Sequence, residues 1–126
     1  MNFIFLAIKE HPWGREMLSQ LLAAGFKPSL IIEEFSEGGE IEREKFEFRI
    51  GTHPLASTMK SQAAEHEIPV VEVPIHNDEH CMEHIEKAAP ELIVFGGTRI
   101  IRGKILEYGE SRGGVLNSHP GLLPEC

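Results

Sequence analysis

The chain has 126 residues, with 12 Lys+Arg against 20 Asp+Glu and a formal net charge of -8, which is one domain's worth of acidic protein with no room for a second full domain. Hydrophobic residues make up 41% and charged residues 25%; that is ordinary globular usage, and the negative excess without a Lys/Arg block counts against generic binding to nucleic acid. The longest apolar runs, Phe3 to Ile8 and Leu92 to Phe95, fall far short of a membrane span, and no basic-then-apolar signal segment opens the chain, so a cytoplasmic location without membrane contact is expected.

Asn2 to Ile8 is a continuous apolar run, the pattern of a strand buried on both faces, and it is expected at the centre of a parallel sheet. Trp13, Met17, Leu21 and Ala24 recur at helical spacing before Gly25, a good C′ residue, so residues 13–24 read as an amphipathic helix. Ser29 to Ile32 reads as a second buried strand that ends in Glu33 and Glu34. Charged residues 36–48 suit a short exposed helix and a solvated face. After the His53-Pro54 break, Leu55, Met59, Gln62, Ala63 and His66 outline another helix, and Pro69 to Val73 a third strand. Asn77 or Asp78 caps a helix through Met82, Ile85 and Ala89 that Pro90 ends. Leu92 to Phe95 is the fourth strand, residues 99–108 hold a short helix, and Gly114 to Asn117 is the fifth strand. Strands alternating with helices imply an α/β fold, a Rossmann-like doubly wound sheet, mainly parallel, in strand order 3-2-1-4-5.

Ligands of such sheets sit beyond the carboxyl ends of the strands. Residues 9–14, 96–99 and 117–124 should therefore face one crevice. Gly114-Val-Leu-Asn-Ser-His-Pro-Gly-Leu-Leu-Pro124 places an amide and an imidazole two residues apart, and the strand period of two puts both on one side. Asn117 suits a developing oxyanion and His119 a proton at neutral pH. On spacing alone, Asn117 as a turn cap and His119 as a satisfied loop histidine remain open.

Asn117-Ser-His-Pro-Gly-Leu-Leu-Pro124, preceded by Leu92-Ile-Val-Phe-Gly-Gly-Thr-Arg-Ile-Ile101, resembles the core of the formyltransferase family, whose members act on glycinamide ribonucleotide, methionyl-tRNA or amino sugars, or hydrolyse formyltetrahydrofolate. The resemblance implies a Rossmann-like sheet and 10-formyltetrahydrofolate as carbon donor. It makes Asn117 and His119 the catalytic pair. It places Phe95, Gly96, Gly97, Thr98, Arg99, Ile100 and Ile101 along the folate pocket, partly through backbone groups, and makes Leu123-Pro124 a candidate cis peptide. The family's third catalytic residue, a later aspartate, does not occur in these residues. The chain is thus expected to be the amino-terminal part of a longer enzyme and inactive by itself.

The segment Lys9-Glu-His-Pro-Trp-Gly14 is neither the Gly/Ser-rich phosphate loop of the ribonucleotide enzymes nor the Gly-Thr-Pro turn of the tRNA enzymes. A small-molecule amine such as an amino sugar is the expected acceptor, contacted by Lys9, His11 and Trp13, with Trp13 as a packing residue at the helix start the other reading. Formyltetrahydrofolate hydrolysis and a non-catalytic binding module are the alternatives. The exposed sheet edge beside the fifth strand invites a homo-oligomer. His76, His80 and His84 with Cys81 are spaced by about a helical turn but lack a convincing fourth ligand, so no metal is expected. Gly96-Gly97 and Gly113-Gly114 do not make a dinucleotide fingerprint. Cys81 and Cys126 make no disulfide framework and read as reduced thiols.

Overall fold

The computed structural model describes residues 1–118, in which β1 (Phe3–Ile8), α1 (Pro12–Ala23), β2 (Leu30–Glu34), α2 (Glu37–Ile50), α3 (Met59–Glu65), β3 (Val70–Val73), α4 (Glu79–Ala88), β4 (Leu92–Gly96), α5 (Lys104–Glu110) and β5 (Val115–Ser118) follow in order. The strands form one sheet in the order β3-β2-β1-β4-β5, and every neighbouring pair is parallel. This is the expected Rossmann-like order with β1 at its centre.

Every residue of β1 is buried, because helices cover both faces. Phe3, Phe5 and Ala7 pack with Leu18 of α1 and Met59 and Ala63 of α3. Ile4 and Leu6 pack on the other face with Met82 and Ile85 of α4 and Ile105 of α5. The strand period of two sorts one apolar run into two cores.

Local signals set most helix ends. Pro12 opens α1, and after Ala24 the Gly25 N–H donates to Leu22 O at 3.0 Å and the Phe26 N–H to Leu21 O at 2.8 Å, with Gly25 at φ +89°. That pair of bonds is a Schellman cap on the expected glycine. Asp78, one of the two expected caps, accepts from the Cys81 N–H at 2.9 Å. Ser36 accepts from the Gly39 N–H at 2.9 Å at the start of α2.

Several boundaries differ from the sequence reading. The helix expected from Leu55 begins at Met59, because the Thr58 side chain accepts from Ser61 N–H at 3.1 Å and the Glu10 carboxylate accepts from Met59 and Lys60 N–H at 2.8 and 3.1 Å, fixing the first turn there. α5 starts at Lys104 rather than Arg99, which leaves 97–103 as a loop. α2 runs for 14 residues rather than a short stretch. β2 extends through Glu33 and Glu34 and buries both. Cys81 is buried and unpaired, and burial pushes its thiol up to about 12. No helix among the described residues is long and apolar enough to cross a membrane.

Candidate functional site

The turns after β1 and β4 meet beyond the carboxyl end of the sheet, where the Ile8 N–H donates to the Gly97 carbonyl at 2.9 Å. Two glycines permit this approach. A Cβ on Gly14 would stand 2.6 Å from the Gly96 carbonyl oxygen, and one on Gly97, at φ +76°, would stand 2.7 Å from His11 Nδ1. Any larger residue would push α1 off the end of β4.

His11 is fixed beside these glycines. It is 6% exposed, its Nδ1 accepts from the Trp13 N–H at 3.1 Å as the cap of α1, and its ring leans on Phe46 of α2 at 4.8 Å between centroids. Burial, and then the Arg43 and Arg49 guanidinium groups, push it down to about 4. The imidazole is therefore neutral at neutral pH, and with Nδ1 accepting it carries its proton on Nε2. Lys9 reaches the other way, to Glu72 Oε2 on β3 at 3.1 Å. Trp13 lines a cavity of about 300 Å³ between α1, the end of α2 and residues 53–56. The three expected substrate contacts thus divide: His11 backs the Gly97 turn, Trp13 lines the neighbouring cavity, and Lys9 lies toward the β3 side.

Along the expected folate segment, Phe95 and Ile101 are buried in the core shared with α4 and α5, and Gly96 sits against the Phe5 ring with no space for a side chain. Gly97 and Thr98 are half-buried and Arg99 and Ile100 exposed. The accessible part of this segment is therefore 97–100 with its backbone. Three side chains hold the loop in place. Asn77 Nδ2 donates to Ile100 O at 2.8 Å, Asn77 Oδ1 accepts from the Arg102 N–H at 3.0 Å, and the Arg99 guanidinium lies 3.9 Å from Glu34 Oε2.

Glu34 and His76 are site-adjacent residues that the sequence reading named only as a strand end and as a member of a histidine series, without a part in the site. Glu34 is 2% exposed and accepts from the His76 N–H at 2.9 Å and from the Ser36 hydroxyl. His76 is wholly buried, with Nε2 bonded to Ile32 O at 2.9 Å and Nδ1 3.5 Å from Glu34 Oε1 without a hydrogen bond. Burial pushes it down, against the Ile32 carbonyl, Glu34 and Asp78, which raise it. The signal for this pair was the two carboxylates at a strand end; the sequence could not show that β2 would carry them inward. Glu33, 3% exposed, is raised to about 7 by burial first, with Glu10 and Glu72 adding and the Glu10 N–H and Lys9 opposing. Among the described residues no group of three His, Cys, Asp or Glu is placed to hold a metal ion.

Asn117 is exposed at the end of β5, in register with Phe95. Paired residues share a face, so Asn117 stands on the side of the sheet that α4 and α5 cover, at the level where the 95–101 segment begins. β2 and β5 are separated by two strands, so Glu33 and Glu34 stand away from Asn117, and Asp78 is committed to capping α4. His119, the Leu123-Pro124 bond and Cys126 lie outside the described residues.

Fold and site together define a Rossmann-like α/β domain in which the turns after β1 and β4 and the end of β5 lie together at the carboxyl edge of the sheet. Solved structures with the same fold are phosphoribosylglycinamide formyltransferases. That from Coxiella burnetii is 15% identical at a TM-score of 0.60, with 100% of this chain and 54% of that chain covered. The enzyme from Streptococcus pneumoniae TIGR4 is 17% identical at 0.58, with 98% and 59% covered. The one from Bacillus halodurans is 19% identical at 0.57, with 98% and 58% covered. The chain spans between about half and three fifths of these structures. No protein-family model matches the sequence, and comparison with curated proteins gives no match.

Proposed function

We propose that the chain is part of a folate-dependent one-carbon transferase that moves a formyl group from 10-formyltetrahydrofolate to the amine of a small molecule such as an amino sugar. The observation that carries this reading is the register of Asn117 beside Phe95, which supports Asn117 acting next to the 95–101 segment, in a fold similar to that of the formyltransferase structures. The donor supplies an activated formyl carbon whose bond to nitrogen breaks as the new amide forms. What supports the fit is the accessible backbone of the half-buried Thr98 and the exposed Arg99, with Ile100, 74% exposed, offering an apolar surface to a flat ring. Asn117 would donate its amide N–H to the formyl oxygen as charge gathers there, and His119 would take the proton that the attacking amine loses. Asn77 and Glu34 would act as positioning residues, holding loop 97–102. The outer position of β5, with Leu116 49% exposed, supports pairing of this edge with a further strand or a second copy.

A formyl-transfer assay of the whole encoded protein, with 10-formyltetrahydrofolate and a panel of amino sugars, tests the reading. Asn117→Ala and His119→Ala are each expected to lower turnover by about 100-fold or more. Formate released at an undiminished rate without an amine would make the protein a hydrolase instead, and folate binding without either product a non-catalytic module.

A further inference from the structure

The cavity beside Trp13 stands one ring away from the Gly97 turn. The His11 imidazole backs Gly97 and leans on Phe46, and Phe46 is also part of the wall of the 300 Å³ cavity, with Trp13, Glu16, Ile50, His53 and Leu55. That volume is at the lower end of small-molecule sites, about 300–1,000 Å³, so the occupant is a single small molecule. Its wall is built of rings and branched aliphatic groups, which favour a flat apolar body over a polyhydroxylated one whose hydroxyls would find few partners there. Glu16 is the charged residue in that wall, oriented by Gln20, whose Nε2 donates to Glu16 Oε2 at 2.8 Å. The Arg49 guanidinium already lies over the Phe46 ring, its carbon 5.3 Å from the centroid, so the positive end of a ligand must point away from Phe46 and toward Glu16. A net charge of -8 adds a field that favours positive ligands.

We propose that this cavity binds a small aromatic ammonium ion, its ring laid against Trp13, Phe46 and Ile50 and its charge set against Glu16. The site is separate from the crevice at Asn117 and stands whether or not the protein transfers formyl groups. It reaches the crevice through Phe46 and His11, so occupancy should be felt at Gly97.

Titration of the intact chain with 2-phenylethylamine tests this, read by the fluorescence of Trp13, the single tryptophan, and by the NMR shift of the His11 ring. Phenylacetate, of the same shape and opposite charge, is the control. Saturable binding of the amine about tenfold or more tighter than the acid is expected, with both probes perturbed, as charge complementarity demands. Glu16→Gln should reduce that preference to about twofold, and Leu55→Ser should weaken the amine about fivefold. Leu55 is 42% exposed on a loop, so the second variant leaves the core intact, and a thermal melt verifies both. Equal binding of the two ligands, no saturation, indifference to both substitutions, or a signal that follows protein concentration alone, as a contact between copies would, overturns the proposal. None of these readouts depends on turnover.

Discussion

Gly97 concentrates the local constraints of the crevice. Its φ of +76° and the 2.7 Å approach to His11 Nδ1 mean that Gly97→Ala must strain the backbone and displace a ring that is itself wedged against Phe46. A loss of about 1–3 kcal/mol is expected in denaturant unfolding. His11→Ala removes the cap of α1 as well as the contact with Phe46, and about 0.5–2 kcal/mol should go with the cap alone; His11→Asn, which can accept from the Trp13 N–H, should recover part of it. Glu33 poses the opposite case. Its carboxyl is held up to about 7 by burial, above its unfolded value, so the stability it contributes is complete below about pH 4.5 and is lost as the pH rises through 7. Glu33→Gln keeps an acceptor for the Glu10 N–H and removes the ionisation. The variant should therefore match the parent near pH 5 and exceed it at pH 8, by on the order of 1–2 kcal/mol. Equal stability of the two proteins at both pH values would mean that the site accommodates the charge.

At the scale of elements, α2 is the unusual piece. A parallel crossover from β2 to β3 requires only one helix, and α3 supplies it, packed on the core through Met59 and Ala63. α2 buries only Gly39. Its attachments are the Ser36 cap, the Arg43 Nη1 bond to Lys9 O at 3.4 Å and the Phe46 contact with His11. With so little apolar burial it belongs to the low-stability end of the molecule, and its amides should exchange faster than those of α1 in hydrogen-exchange measurements. Loop 97–103 is held instead by the two Asn77 bonds and the Arg99–Glu34 pair. Asn77→Ala should raise exchange at residues 100–102 and leave α4, which Asp78 caps, unchanged. Protection lost evenly through both regions would show that they open as one unit.

For the whole molecule, two buried histidines oppose acid. His11, pushed from 6.5 down to about 4, contributes stability that is present above its unfolded value and lost as the pH falls from 6.5 to 4; His76 is pushed the same way by burial. Glu33 works against them between about 4.5 and 7, so the parent's rise in stability with pH should be blunted in that window. With Glu33→Gln, stability should climb continuously from pH 4 to 7. An acid loss that persists in His11→Asn without change would place the acid sensitivity elsewhere.

The sequence by itself determined the order 3-2-1-4-5, because an uninterrupted apolar run at Phe3–Ile8 must be covered on both faces and short alternating elements permit few right-handed connections. It also determined the local punctuation, Gly25 after α1 and Asp78 before α4, since those signals act within a few residues. The motif around Asn117 was legible as a pattern of residue types, and sheet register added its neighbour, Phe95. Only the tertiary structure decided which polar residues are buried. Glu33, Glu34 and His76 look like surface residues in a linear reading, and each owes its burial to neighbours 23 to 44 positions away, such as Glu10, His76 and Ile32. The cavity beside Trp13 likewise combines α1, α2 and the loop before α3. Propensities and caps are encoded locally, whereas the environment of a charge and the shape of a cavity are properties of segments that meet only after the chain has folded.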